Sequence, residues 1–248
     1  MPKDLFSKQA DAYAKYRPTY PQALIDYILS FVANRETAWD CATGNGQASS
    51  LLAPNFKKIF ATDISEKQIQ NAVPAPNIFY STGSAEQTNF EDNSFDLITM
   101  AQAYHWMRFD AFHKEATRVA KPGCVIAIWG YGLVVSEDEK LNELIRYFYV
   151  DVIGKYWDAE RKYVDQKYQT LPFHFERLPS KEFSIDVRWN MADFKGYLNT
   201  WSSVQHFIKT NNYNPVDEFA PKLDALKKTN EEISFSFPVF LLLGRIAK

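Results

Sequence analysis

Apolar positions along the first 130 residues follow two rhythms in turn. Leu24, Ile25, Ile28, Leu29 and Val32 recur at spacings of three and four, behind Thr19-Tyr20-Pro21-Gln22, a Thr-x-x-Gln capping box with an early proline. That pattern predicts a helix. Thr37–Ala42 is short and mostly apolar and reads as a strand; Gln47–Leu52 reads as a helix that stops at Pro54. Strands are predicted again at Lys58–Thr62, Asn77–Ser81, Phe95–Met100 and Val125–Gly130. Helices fall between them, one opened by the capping box Ser65-Glu66-Lys67-Gln68, another carrying Phe109, Phe112, Ala116 and Val119 on one face. Lys121-Pro122-Gly123 makes a tight turn into the fifth strand.

Beyond residue 132 the rhythm changes. Ser136-Glu137-Asp138-Glu139 caps a helix expected to run to about Tyr156, and Asn190 opens another over Met191–Lys209. Phe183, Ile185, Val187 and Trp189 alternate at period two. Ile233–Ile246 alternates and then becomes continuously apolar, with Pro238 predicting a bulge or an edge. Short strands alternating with helices imply right-handed βαβ units. The expected fold is α/β: a doubly wound, mainly parallel, seven-stranded sheet with a partly helical lid. We divide the single domain into a first segment of residues 1–36, a core of 37–132, a lid of 133–232 mixed with late sheet elements, and a last core strand in 233–248. In such sheets ligands bind beyond the carboxyl ends of the strands, where strand order reverses.

Composition narrows the class without changing this picture. The 248 residues are 46% hydrophobic with a net charge of −2, and they hold 19 Phe, 14 Tyr and 6 Trp but 9 Gly, so disorder and low-complexity chains are excluded. Met1–Ser7 has no apolar segment of the secretory kind and no run approaches 18 apolar residues, so a cytoplasmic chain with no membrane partner is expected. Cys41 and Cys124 lie too far apart for a local zinc pair and sit in apolar strands; buried free thiols are expected, and no metal motif is present. Lysines and arginines are scattered and the pI is near 6.1, so nucleic acid is not expected as a partner. Oligomeric state is left open.

The chemistry concentrates at Asp40-Cys41-Ala42-Thr43-Gly44-Asn45-Gly46, where a strand ends, two glycines turn the backbone and a helix begins. Asp63 closes the second strand, placed to accept hydrogen bonds from ribose hydroxyls. A dinucleotide fingerprint would place Gly or Ala at position 49, where this chain has Ser49. An acid at position 40 repels a pyrophosphate yet accepts a hydrogen bond from an ammonium group. S-adenosylmethionine, with an amino-acid end, a ribose and an adenine, suits the loop better than NAD.

These segments resemble the class I S-adenosylmethionine-dependent methyltransferases of the type 11 branch. Asp40-x-Ala-x-Gly-x-Gly looks like their first motif, and Asp63 like their strand-two acid. Gly83-Ser84-Ala85-Glu86, Asn93–Ile98, Ala103-Tyr104-His105-Trp106 and Arg118–Gly123 are similar to later segments of that family. Tyr13, Tyr16-Arg17-Pro18-x-Tyr20-Pro21, Tyr197-Leu198-x-Thr200-Trp201-Ser202 and Phe237-Pro238 extend the likeness to the trans-aconitate methyltransferase-like group.

The resemblance implies roles. Asp40, Ala42, Gly44, Asn45 and Gly46 would serve the methionine moiety, Asp63 the ribose, and Ile64 with Ser84, Ala85 and Glu86 the adenine. Gln102 would reach the methionine or sulfonium side, and Arg17 a carboxylate of cofactor or substrate. Tyr13, Tyr20, Trp106, Arg108, Trp129 and Trp201 are candidates for the substrate pocket, and His105 for orientation or base catalysis. The product would be S-adenosylhomocysteine. The implied activity is methyl transfer to a small molecule, most specifically to a carboxylate oxygen, with further carboxylates held by Arg17, Arg108 or Arg188. Methylation of a hydroxyl, an amine, RNA or protein, and a binding module without turnover, are the alternatives.

Overall fold

The computed structural model describes residues 16–226 and 232–248. Its centre is a sheet in the order β3-β2-β1-β4-β5-β9-β6, built from β1 (Thr37–Cys41), β2 (Lys58–Asp63), β3 (Ile78–Thr82), β4 (Phe95–Ala101), β5 (Ala120–Tyr131), β6 (Val135–Ser136) and β9 (Ile233–Arg245). β7 (Glu176–Arg177) and β8 (Phe183–Trp189) also pair with β9. The first five strands are parallel to one another, whereas β9 runs antiparallel to β5 and to β8. The sheet therefore has nine strands rather than seven. The seven predicted strands are all present, and the two additions are two-residue pieces on β9.

Side chains alternate across the sheet and divide the core in two. Ala38, Leu97, Val125, Ala127 and Trp129 face α1 (Gln22–Leu29), which buries Leu24, Ile25, Ile28 and Leu29. Trp39, Ile98, Met100, Ile126 and Ile128 face Phe112, Ala116 and Val119 of the helix Phe109–Val119. Cys41 and Cys124 are free and buried, as their apolar surroundings predict. Burial on both faces is why the parallel strands read as continuous apolar runs.

Several boundaries differ from expectation. The first helix has Pro21 as its N-cap with no side-chain cap, and the Gln22 amide turns instead to Asp26 at 2.9 Å. Strand β5 begins at Ala120, and the turn at Gly123 (φ 80) lies within it beside a register break. Pro238 is neither bulge nor edge, since β9 has neighbours on both sides. Its carbonyl accepts the Gly132 N–H at 2.9 Å. The missing N–H faces the same side, towards Gly132 just past the end of β5, so the proline forgoes one bond at the end of that ladder.

The helix expected to reach Tyr156 stops at Tyr147 and continues as a π turn over Phe148–Val152 and a 3-10 turn over Gly154–Tyr156. The wider turn seats both Phe148 and Tyr149 in the core. The helix expected over Met191–Lys209 is two helices, Met191–Asn199 and Ser202–Asn211. At the break the Thr200 hydroxyl and N–H both donate to the Tyr197 carbonyl, at 2.6 and 2.9 Å, and Trp201 is extended (φ −73, ψ 133). Arg161–Asp165 and Pro215–Asp224 are further helices without a predicted counterpart. Among the described residues no helix is long and apolar enough to cross a membrane.

Candidate active site

Strand order reverses between β1 and β4. A cavity of about 310 Å³ opens beyond the carboxyl ends of these strands and of β2. One wall is made by the residues that follow β1, β2, β3 and β4, the other by residues 157–161 and 197–202, brought over the strand ends by the second half of the chain.

At the first wall, backbone geometry is set by side chains beneath it. Asp40 is fully buried and does not line the cavity. Its carboxylate accepts hydrogen bonds from three hydroxyls, those of Thr43 at 2.5 Å, Ser49 at 2.6 Å and Thr99 at 2.9 Å. Burial raises its pKa while these donors oppose the rise. The reading of Asp40 as a direct acceptor for an ammonium group is thereby corrected: its oxygens are turned inward and it braces the loop. Ser49, the departure from the dinucleotide pattern, is part of that brace.

The loop itself bends at Ala42 (φ 52), Gly44 (φ 58) and Gly46 (φ 84). Gly46 does not line the cavity; a Cβ there would lie 2.1 Å from the Tyr80 hydroxyl oxygen, so its absence lets the loop close on β3. A Cβ at Gly44 or Gly83 would meet nothing within 4 Å, and both residues line the cavity. Asp63 Oδ2 accepts the Gly44 N–H and Oδ1 accepts the Ser65 N–H, each at 2.8 Å, which ties the two loops together. Ile64, Ser84, Ala85, Asn45 and Ala42 all line the cavity, with Ile64 41% exposed. Glu86 lines it as well, but its carboxylate is gripped by the Arg108 N–H at 2.7 Å and Nε at 2.5 Å. The Arg108 side chain is 77% exposed and lies off the cavity, which corrects its assignment to the substrate pocket. Arg188 likewise lies off it, facing Glu232 at 3.3 Å.

Gln102 (φ 54) lines the cavity, yet its amide is committed to β5. Oε1 accepts the Tyr131 N–H at 2.8 Å and Nε2 donates to the Tyr131 carbonyl at 3.2 Å, so it extends the ladder rather than reaching for the sulfonium side. Gln68, which the sequence reading passed over, is buried against the cavity, and among the described residues its Oε1 has no hydrogen-bond partner.

The second wall is aromatic and carries charges of both signs. Trp157, Tyr197 and Trp201 line it with Asp158, Glu160, Arg161 and Ser202, and Arg17, Tyr20 and Trp106 line the cavity beside them. Arg17 donates to the Tyr131 hydroxyl at 2.7 Å and to the Thr200 carbonyl at 3.1 Å, at the break between the two helices. Trp129 is fully buried under Tyr20, ring centroids 5.5 Å apart, so it is a core residue rather than a pocket residue. Tyr13 lies outside the described residues. His105 lines the cavity with Nδ1 2.8 Å from the Tyr168 hydroxyl; Tyr168 is fully buried and held at φ 58, a conformation that bulky residues seldom adopt. Burial, with the Arg161 charge adding to it, lowers the His105 pKa to about 3, so the ring is neutral at physiological pH.

Comparison with known proteins fits this geometry. A family described as a methyltransferase domain matches residues 39–128. A Dictyostelium discoideum protein named as a methyltransferase is 32% identical over 249 residues, spanning 98% of this chain and 95% of its own. A Schizosaccharomyces pombe protein described as methyltransferase-like is 25% identical, over 91% of this chain and 90% of its own. A solved structure from Anaeromyxobacter dehalogenans, described as a type II methyltransferase, superposes with a TM-score of 0.86 at 36% identity, covering 94% of this chain and 99% of that one. The chain belongs to the S-adenosylmethionine-dependent methyltransferases.

The residues present fit that cofactor. Asp63 lines the cavity at the end of β2, where a carboxylate can accept hydrogen bonds from ribose hydroxyls. Ile64 offers an uncovered apolar face, Gln68 an unfilled acceptor, and Gly44 and Gly83 leave open the space a side chain would take.

Proposed function

We propose that the protein transfers the methyl group to a carboxylate oxygen of a small-molecule acceptor. Arg17, the loop at Ala42–Asn45, Asp63, Ile64, Gln68 and Ser84–Glu86 would hold the cofactor. Bound S-adenosylmethionine supplies a methyl group on a sulfonium, a leaving group that needs an aligned acceptor and a dry site more than an activator. Tyr20, Trp106, Trp157, Tyr197 and Trp201 supply the dry walls.

The observation that supports the acceptor class is the setting of His105, which is buried with Nδ1 2.8 Å from the Tyr168 hydroxyl. Burial lowers its pKa to about 3, which makes it a poor base for an alcohol or an ammonium group at neutral pH. A carboxylate needs no such base, being ionised already. His105 then orients the acceptor while Tyr168 fixes its ring. The likeness of the chain's two ends to the trans-aconitate methyltransferase-like group supports an anionic acceptor. A cytoplasmic enzyme acting on small acids, without metal or nucleic acid, is the corresponding setting.

A screen of carboxylic acids, phenols and amines for S-adenosylhomocysteine release, with the product identified by mass, tests this. Methyl esters from acids, and no methylated phenol or amine, are expected. Turnover confined to phenols or amines would overturn the acceptor class.

A further inference from the structure

Tyr168 belongs to no motif in the sequence, yet it decides how His105 faces the cavity. It is fully buried and follows the helix Arg161–Asp165 through Lys167 (φ 52) and its own φ of 58, two successive left-handed residues that carry side chains. Such conformations persist only where the surroundings over-determine them. Here the Tyr168 N–H donates to the Tyr163 carbonyl at 2.8 Å, and its ring packs edge-on against Phe240 at 4.9 Å and Tyr104 at 5.8 Å. The ring is thereby held against the 3-10 turn Tyr104–Trp106, with its hydroxyl 2.8 Å from His105 Nδ1.

A tyrosine hydroxyl has one proton to give. Among the described residues the one acceptor within reach of the Tyr168 hydroxyl is His105 Nδ1. The turn has no side-chain cap at Ala103, and its first N–H groups, those of Tyr104 and His105, are directed to the same hydroxyl oxygen and occupy its lone pairs. Were Nδ1 protonated, in a neutral or a charged ring, the Tyr168 proton would be left without an acceptor in a fully buried site, which folded proteins rarely tolerate. Nδ1 therefore accepts, and the proton of the imidazole is on Nε2. Nε2 is the open end of the ring: His105 lines the cavity, and among the described residues Nε2 neither makes a hydrogen bond nor is sealed off.

We infer that Tyr168 is a positioning residue that locks His105 in its Nε2–H tautomer, so that His105 meets the acceptor as a hydrogen-bond donor and has no lone pair free to take a proton. The lock stands on the geometry alone; what the donor holds rests on the carboxylate-methylation reading above. As one oxygen of a carboxylate forms its bond to the methyl carbon, the carbon–sulfur electron pair stays with sulfur and no proton moves. A donor at the second oxygen can then remain in place from carboxylate to ester carbonyl, and it fixes the direction of the first oxygen. A bare nitrogen at the same place would repel it.

Nitrogen NMR of the full chain, labelled at histidine and saturated with S-adenosylhomocysteine at neutral pH, tests the lock; the His105 signals are those lost in His105→Gln. The wild type should show a protonated Nε2 and a bare Nδ1, and Tyr168→Phe, with its affinity for S-adenosylhomocysteine unchanged, should show both tautomers. A proton on Nδ1 in the wild type, or an unmixed Nε2–H tautomer in Tyr168→Phe, overturns the inference. Kinetics with the acceptor most rapidly methylated in the screen above test the donor without relying on Tyr168→Phe to fold. His105→Leu should lower kcat/KM about ten- to a hundredfold, the worth of a hydrogen bond to a charged group, and His105→Gln, whose amide keeps an N–H near the place of Nε2, should recover most of that loss. Equal losses in the two variants, as removal of a base would give, or no loss in His105→Leu, overturn the donor role. An Nε2–H tautomer in a chain that methylates no acid would keep the lock and overturn the proposed reaction. Ester formation with the His105 proton on Nδ1 would do the reverse.

Discussion

The two walls of the cavity are made differently. On the cofactor wall, each functional stretch is a short loop after a strand, held by residues of the same loop and of neighbouring strand ends: Asp63 with Ser65 and Gly44, Asp40 with Thr43, Ser49 and Thr99. On the acceptor wall, the partners come from distant parts of the chain. Arg17 meets Tyr131 and Thr200, and His105 meets Tyr168. Loops on a parallel sheet inherit their position from the sheet, whereas the second wall depends on the packing of several short helices around aromatic rings such as Trp157, Tyr149 and Trp201. The division teaches that one wall is a common holder and the other a specific reader, and that each should fail separately.

The largest expected effect breaks the frame that both walls share. Trp129→Ala empties a fully buried site beneath Tyr20 and should cost about 3–5 kcal/mol in chemical denaturation. A loss under 1 kcal/mol with a raised acceptor KM would return Trp129 to the pocket. Next, Asp63→Ala removes an ionised acceptor for the ribose and two bonds that join the loops. Calorimetry should show affinity for S-adenosylhomocysteine lowered about a hundredfold or more, at roughly 1.5–3 kcal/mol for each hydrogen bond to a charged group. Arg161→Gln should leave that affinity unchanged, and equal losses in the two variants would dissolve the distinction between the walls.

Acid sharpens the comparison further. His105 stays neutral in the folded chain down to a pKa of about 3, while the unfolded chain takes up a proton near pH 6.5. The unfolded state therefore binds more protons below pH 6.5, and stability falls as the pH drops from there towards 3. The cost from this ring is about 1.4 kcal/mol at pH 5.5. His113, buried and held near a pKa of about 4 beside His174, adds to the same trend. His105→Gln should flatten the slope of unfolding free energy between pH 7.5 and 5.5; an unchanged slope would mean that His105 is charged in the fold. The smallest effect belongs to Arg108→Ala, an exposed partner of Glu86, which should shift stability by about 0–1 kcal/mol and leave the acceptor KM alone. A tenfold rise in KM would restore it to the substrate wall.

This division also explains what could be read from the chain. The strand ends, the two glycines and Asp63 are local features, and the seven principal strands have enough residues to show a period. β6 and β7 are two residues each and carry none. Apolar spacing predicts continuous helices around Phe148 and Thr200 because it registers neither a π turn nor a threonine hydroxyl bonding back to the chain. The position of Asp40 at a strand end is legible, but the direction of its carboxylate depends on Thr99, 59 residues away. Arg161 had a faint signal, a cation four residues after Trp157 in an aromatic stretch, and nothing local to say that it faces the cavity.

The central claim is that the acceptor arrives already ionised and needs no base. The most direct measurement is the initial rate of labelled-methyl transfer from S-adenosylmethionine to a small carboxylic acid between pH 6.5 and 9, with release of the label by mild alkali identifying an ester. A rate flat across that range, with alkali-labile label, is expected. A rate rising tenfold per pH unit, or a label that resists alkali, would contradict the account.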